Sequence, residues 1–270
     1  MLFDMRHLWN ILDSLKKNSD LFWFLDYDGV LTPIVSEPEK AILDLEMRKF
    51  LEALAEKFKV VVISGRRLQE LKKLVSVGKI CYAGNHGLEI SGLGVSLVLP
   101  RAKRVRPVVL KMCRELQKRL QGTAGVIVEN KGLTASLHYR NVAPKEFAKV
   151  KKIFESVVHS YVKSGSFRIT KGKKVWEIRP NLDWNKGMAV DWIIKNFDPE
   201  GKLLPIYLGD DKTDEDAFRT LRGRGITVMV GKCCQRSNAE FYLRGVQEVK
   251  ILLRNFARGN SKFASVFTRL

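Results

Sequence analysis

Residues 21–25, Leu-Phe-Trp-Phe-Leu, form an unbroken apolar run that ends on Asp26-Tyr27-Asp28-Gly29. An apolar run with no polar alternation is the pattern of a strand buried on both faces. Carboxylates at i and i+2 point to the same side while strand geometry lasts, and Gly29 then lets the backbone turn. Like charges this close resist joint ionisation unless a cation lies between them or one carboxyl keeps its proton. The segment alone therefore leaves two readings open: a metal or acid–base centre, or two acids solvating an Asp-Gly turn.

Three later segments bear on that choice. Val60-Val61-Val62-Ile63 is a second buried-strand pattern, ending in Ser64-Gly65-Arg66. Leu203 to Leu208 is a third, ending in Gly209-Asp210-Asp211-Lys212-Thr213-Asp214-Glu215-Asp216. Between them, Asn185-Lys186-Gly187 opens a segment with helical apolar spacing through Met188, Val190, Trp192, Ile193, Ile194 and Phe197. Ligands of open α/β sheets sit beyond the carboxyl ends of strands, so acids, a hydroxyl and a lysine at such ends can converge on one pocket.

The remaining pattern fills in a fold. Residues 4–17 read as an amphipathic lead-in helix, and Leu43, Met47, Phe50, Leu51, Leu54 and Phe58 as a helix packed on the sheet. Ile80 to Ala83 is a further strand. Strands alternating with helices imply a parallel, three-layer α/β core. Residues 101–180 differ: helix 105–120, strands 126–128 and 133–139 across a turn at Asn130-Lys131-Gly132, helix 147–161, then strands 167–170 and 175–178. That αββαββ order predicts an α+β module inserted into a core made of 1–100 and 181–270.

In sequence order, Asp-x-Asp-Gly-Val (26–30), Ile-Ser-Gly-Arg (63–66), Asn-Lys-Gly (185–187) and Gly-Asp-Asp-x-Thr-Asp-Glu-Asp-Ala-Phe (209–218) resemble the motifs of the haloacid dehalogenase superfamily. Three more segments narrow the resemblance to its trehalose-6-phosphate phosphatase branch: Gly84-Asn85-His86-Gly87-Leu88-Glu89, Ser136-Leu137-His138-Tyr139-Arg140 and Trp176-Glu177-Ile178-Arg179-Pro180. The likeness runs from about residue 20 to about residue 255, and Val30 stands where many relatives carry Thr. It implies a three-layer Rossmann-like parallel-sheet core of the haloacid dehalogenase type with the insert as a cap that closes over substrate. It also implies hydrolysis of trehalose 6-phosphate through an aspartyl-phosphate.

On that resemblance Asp26 attacks phosphorus, and Asp28 protonates the departing sugar oxygen and later takes a proton from water. Ser64 donates to a phosphate oxygen, and Lys186 adds charge beside the nucleophile at a helix start. Mg2+ is the implied cofactor, held by Asp26, the Asp28 backbone carbonyl and Asp210, with Asp211 or Asp214 in support. Arg66, His86 and Glu89 follow core strands and are candidates to face the sugar, as are Lys131, Arg140, Glu177 and Arg179 on the insert. The resemblance favours Lys131, Glu177 and Glu89. Plainer readings stand beside these. Ser64 fits a turn, Lys186 an exposed charge, and Thr213 and Asp214 a helix cap. His138 and Arg140 fit structural roles, His86 the shaping of its loop, and Trp176 and Tyr139 the core.

Composition limits the alternatives. The net charge is +19, and residues 101–180 hold 20 of the 48 lysines and arginines against 5 of the 29 acids. A basic insert suits a nucleic-acid surface, an electrostatic funnel for anions or a solvated surface. No zinc-finger spacing, single-strand motif or basic-zipper pattern accompanies it. No apolar run is long enough for a bilayer, the N-terminus lacks a signal-peptide layout, and Cys81, Cys113, Cys233 and Cys234 show no metal-ligand spacing. The expectation is a cytoplasmic enzyme acting on a small sugar phosphate, with any sugar-phosphate synthase on a separate chain. Sucrose phosphate and glycosyl-phosphoglycerate are alternative substrates. A nucleic-acid-binding protein and a catalytically silent relative are the rivals from other classes.

Overall fold

The computed structural model describes residues 21–35, 37–231 and 237–258, together with Leu8, Asn10 and Ile11, which are helical. The rest of the lead-in helix read over 4–17 lies outside these residues, as do Cys233 and Cys234. In chain order the first part of the core holds β1 (Leu21–Asp26), α1 (Leu45–Ala55), β2 (Lys59–Ile63), α2 (Leu68–Val75), β3 (Cys81–Gly84), β4 (Glu89–Gly92) and β5 (Val95–Val98). After a helical turn at Pro100–Lys103 come α3 (Arg106–Arg119), β6 (Ile127–Asn130), β7 (Ala135–His138), α4 (Pro144–Lys163), β8 (Phe167–Gly172) and β9 (Val175–Pro180). The chain then forms α5 (Lys186–Phe197), β10 (Leu204–Gly209), α6 (Asp214–Leu221), β11 (Ile226–Val230), β12 (Phe241–Leu243) and α7 (Val246–Arg258).

Two compact units result, one of Leu97–Trp184 and one of the residues on either side. In the second, eight strands run in the order β12-β11-β10-β1-β2-β3-β4-β5. Neighbours from β12 to β3 are parallel, and β4 is antiparallel to β3. Every residue of β1 is buried, and its side chains serve two faces in alternation, as the pleat requires. Leu21, Trp23 and Leu25 join one apolar cluster with α1 and α7, where Trp23 meets Phe256 edge-on at 4.9 Å. Phe22 and Phe24 face the other layer, Phe22 against Phe197 of α5 at 6.1 Å and Phe24 stacked on Tyr207 at 6.4 Å. The three-layer α/β core is therefore present, with β4 and β5 at one edge and β11 and β12 at the other extending it beyond the strands read from sequence.

The Leu97–Trp184 unit is a four-stranded antiparallel sheet, β6-β7-β9-β8, in which β7 and β9 join two hairpins. One side of the sheet carries Leu137, Trp176 and Ile178, packed with Val109, Cys113 and Leu116 of α3 and Val150, Phe154 and Val157 of α4. The turn expected at 130–132 is a longer loop: Asn130 and Ala135 are the last paired residues, and the Asn130 side chain accepts from the Gly132 amide at 2.8 Å. Among the described residues no helix is long and apolar enough to cross a membrane.

Gly187, the second residue of α5, sets how close α6 can lie. A Cβ there would fall well inside contact distance of the Asp216 carbonyl and the Thr220 hydroxyl oxygen. Helix propensity favours alanine over glycine by about 1 kcal/mol, but forcing atoms into a packed interface costs about 1–3 kcal/mol. Gly187→Ala is thus expected to lower stability despite the propensity gain, read as a lower urea midpoint at unchanged slope.

Candidate active site

Parallel pairing brings the ends of three strands to one edge. β10, β1 and β2 are adjacent, with Leu25 level with both Leu208 and Val62, and Asp26 level with Ile63. Asp26 closes β1, Ser64 lies one residue past β2, and Gly209-Asp210-Asp211 follow β10. Gly29, at φ +86°, keeps the turn tight, and any Cβ on it would overlap the Asp210 carboxylate. The bend after β1 and the acid after β10 therefore need glycine at this position.

Lys186, the first residue of α5, is the centre of the charge network. Its ammonium donates to Asp26 Oδ2 at 2.9 Å and to Asp214 Oδ1 at 2.7 Å, and all three side chains are buried. Burial alone would lower the lysine, yet Asp214 and Asp26 beside it hold it well above its ordinary value. One ammonium thus serves two carboxylates. Burial, with the neighbouring acids adding to it against Lys186, pushes Asp26 well up. Asp214 is raised as well, by burial first.

Asp214 accepts four hydrogen bonds: from Lys186 and the Tyr207 hydroxyl (2.6 Å) on Oδ1, and from the Asp210 and Asp211 amides (both 3.0 Å) on Oδ2. That engages the roughly four lone-pair sites a carboxylate has. Asp214 therefore frames the β10–α6 turn and the lysine. The helix-cap reading of Thr213 does not hold: its side chain makes no cap hydrogen bond, and its hydroxyl and amide both donate to Asp211 Oδ1 at 2.7 Å. Burial opposes charge on Asp211, but Lys186 and Thr213 hold its carboxyl down at about 2.

The acids Asp26, Asp210, Asp211 and Asp214 each place an oxygen within 4.8 Å of the others. Four carboxylates around one ammonium leave negative charge in excess, and an all-oxygen donor set suits a hard divalent cation. With Asp214 engaged, Asp26, Asp210 and Asp211 are the acids whose carboxylates are suited to reach it.

Arg66, a candidate to face the sugar, is held among acids. Its guanidinium grips Asp28 through two hydrogen bonds of 2.8 Å, and also donates to Glu70 and to the Pro38 carbonyl at 2.8 Å. Its amide donates to Ser64 Oγ at 3.1 Å. Glu89 accepts from Asn85 at 2.7 Å and, more weakly, from the Leu68 amide at 3.4 Å, which ties its loop to the start of α2. His86 sits at φ +57°, its ring packed over Gly65, and its amide donates to the Ser64 carbonyl. Arg66, His86 and Glu89 thus brace the loops around Asp28 and Ser64.

In the Leu97–Trp184 unit the register sets Glu129, Ser136, Glu177 and Thr170 in one lateral row across β6, β7, β9 and β8. Lys131 Nζ lies 3.7 Å from both Glu129 and Glu177, Arg179 lies 3.2 Å from Glu177, and His138 Nε2 is 2.9 Å from Glu129. Lys131, Glu177 and Arg179 are therefore together. Arg140 is apart from them, exposed and donating to the Lys173 carbonyl. Two members of these networks, Tyr207 and Glu129, were not singled out from sequence. Tyr207 lies in an apolar run, and only the acid seven residues on hints at a partner; Glu129 shows itself only through the strand register.

A parallel sheet of this order, with acids and a buried lysine gathered at strand ends and an α+β unit inserted after β5, defines a phosphatase-type fold of the haloacid dehalogenase class. The trehalose-phosphatase family model matches residues 24–247. Trehalose-phosphate phosphatase B of Arabidopsis thaliana is 33% identical over 269 residues, covering 94% of this chain and 71% of that protein. The C-terminal domain of C. albicans trehalose-6-phosphate phosphatase superposes with a TM-score of 0.77 at 25% identity, over 93% of this chain and 98% of that one. The same fold recurs, at 11% identity and a TM-score of 0.69, in the C-terminal domain of a Candida albicans trehalose synthase regulatory protein, over 91% of this chain and 97% of that one. The chain belongs to the trehalose-phosphatase family and is a hydrolase of phosphate monoesters.

A carboxyl whose folded value is raised above its unfolded 3.8 contributes stability at low pH that is lost as pH rises through the folded value. At pH 7 without divalent cations, Asp26→Asn should therefore unfold at a higher temperature than wild type, by differential scanning fluorimetry. Adding the cation should raise wild type and leave the variant nearly unmoved. A lower melting temperature for the variant in chelator would contradict this charge balance.

Proposed function

We propose that this chain is a Mg2+-dependent phosphomonoesterase that hydrolyses trehalose 6-phosphate to trehalose and inorganic phosphate. The observation that carries the reading is the buried Lys186 shared between Asp26 and Asp214 at the end of β1. Such a lysine fixes one carboxylate oxygen and faces an incoming phosphoryl group with positive charge.

Asp26 is the nucleophile. One of its oxygens bonds to phosphorus as the P–O bond to the sugar breaks, and Asp28 gives a proton to the departing sugar oxygen. Water then attacks the aspartyl-phosphate, Asp28 takes its proton, and phosphate leaves with Asp26 restored. The Tyr27 amide, donating to Asp26 Oδ1 at 2.7 Å, keeps the carboxylate oriented. Asp28 is positioned by Arg66. For Asp28 to carry a proton, one of its two Arg66 contacts must give way; Glu70 and the Pro38 carbonyl, which accept from the same guanidinium, hold Arg66 in place when it does. Ser64 donates to a phosphate oxygen. Mg2+ would be held by Asp26, the Asp28 carbonyl and Asp210, supported by Asp211, and supplies positive charge against the phosphate oxygens.

The sugar is read by the polar row of the insert. Lys131, Glu129 and Glu177 offer donors and acceptors matched to hydroxyl groups. Lys131 lies 3.7 Å from both carboxylates and His138 lies 2.9 Å from Glu129, so the row concentrates charged donors and acceptors on one face of the sheet.

Phosphate release from a panel of sugar phosphates with and without Mg2+ tests the reading: trehalose 6-phosphate leads the panel, and activity disappears with chelator. A different leading ester would reassign the substrate. Asp26→Asn is expected to lower turnover by about a thousandfold or more. Glu177→Gln should raise KM for trehalose 6-phosphate about tenfold, the size of one hydrogen bond to a charged group, while p-nitrophenyl phosphate hydrolysis stays within twofold. Equal losses on both esters would remove Glu177 from sugar recognition.

A further inference from the structure

Tyr207 has no part in the chemistry derived above, yet it touches the acid on which that chemistry is framed. On β10 it stands level with Phe24 of β1 and Thr227 of β11. Its ring is wholly buried, stacked on Phe24 at 6.4 Å and edge-on to Phe218 at 5.7 Å. Phenylalanine would fill that slot equally well. A buried hydroxyl is costly without a partner, and this one donates to Asp214 Oδ1 at 2.6 Å.

That oxygen is the one that also holds Lys186. A carboxylate oxygen with two donors binds each less strongly than it would bind one alone. Without the phenol, Asp214 would draw the ammonium more tightly to itself and away from Asp26. The plane of the carboxylate, which also carries the Asp210 and Asp211 amides on Oδ2, would lose one of its fixed points.

We infer that Tyr207 is a positioning residue: through Asp214 it sets how Lys186 is divided between Asp214 and the nucleophile Asp26, and it steadies the turn that presents Asp210. This rests on the phosphatase reading above. The role predicts loss in the phosphoryl step and not in sugar recognition.

The test compares Tyr207→Phe with Phe218→Leu, which disturbs the same ring packing without touching a hydrogen bond. Tyr207→Phe is expected to melt within a few degrees of wild type and to lower kcat about tenfold on both trehalose 6-phosphate and p-nitrophenyl phosphate, with KM little changed. Mg2+ binding by calorimetry, measured without substrate, should shift a few-fold in this variant, because both the charge left on Asp26 and the turn presenting Asp210 change. Phe218→Leu should lower the melting temperature more and leave kcat within twofold. Wild-type turnover on the two esters tests the phosphatase reading, whereas the variant-to-wild-type ratio and the calorimetry test Tyr207. A Tyr207→Phe enzyme with wild-type kcat and Mg2+ affinity, or a kcat loss matched by Phe218→Leu, would overturn the inference.

Discussion

A single buried ammonium, Lys186, holds together two carboxylates that the chain brings from 160 residues before it and 28 after it. Taking any one of these ions out of water costs several kcal/mol, and one cation cannot neutralise two anions. The arrangement survives because every remaining lone pair of Asp214 finds a donor, and because the helix of which Lys186 is the first residue is itself fixed by the close approach at Gly187. The unbalanced negative charge that remains on the Asp26 side, next to Asp210 and Asp211, makes the centre receptive to a divalent cation. Stability is given up locally so that binding can restore it.

The same motif, a lysine between two acids, occurs in the inserted unit with looser geometry. Lys131 stands 3.7 Å from Glu129 and Glu177, against 2.7 and 2.9 Å at Lys186. The distances separate two tasks. At hydrogen-bond length the charges are locked and suited to a transition state whose geometry does not vary between phosphate esters. In the insert the lysine stands at ion-pair length, and Glu129 and Glu177 are shared between it and His138, Thr170 and Arg179. On the proposed function, the tight cluster serves the phosphoryl group and the looser one the sugar.

Much of this was legible from the chain. β1, β2 and β10 are unbroken apolar runs ending in polar residues, so both the buried parallel sheet and the acids at its edge follow from sequence. β4 and β5 were missed because Glu89–Gly92 and Val95–Val98 are short and mixed in polarity, and antiparallel pairing at the end of the sheet leaves no long apolar signal. The partners of Arg66 were hidden for another reason. A guanidinium after a strand is as well suited to a sugar as to an acid, and only the turn at Gly29 brings Asp28 opposite it. Thr213 fits the sequence of a helix cap, but Asp211 captures its hydroxyl first. In each case local spacing allowed several partners and tertiary geometry chose one.

The charge distribution sharpens the division between the two units. The chain carries +19 overall, yet the cluster around Lys186 is rich in acids and the basic surplus lies mostly in the insert. At physiological salt, fields from exposed side chains fade over a screening length of about 8 Å. Surface lysines such as Lys145, Lys149 and Lys152 on α4 are exposed, so solvent and salt screen their fields. Beside Lys186 the excess charge is relieved either by a cation held among Asp26, Asp210 and Asp211 or by a proton kept on a carboxyl. Burial, which removes solvent screening and raises Asp26, confines that balance to the centre itself, whatever the charge of the surface.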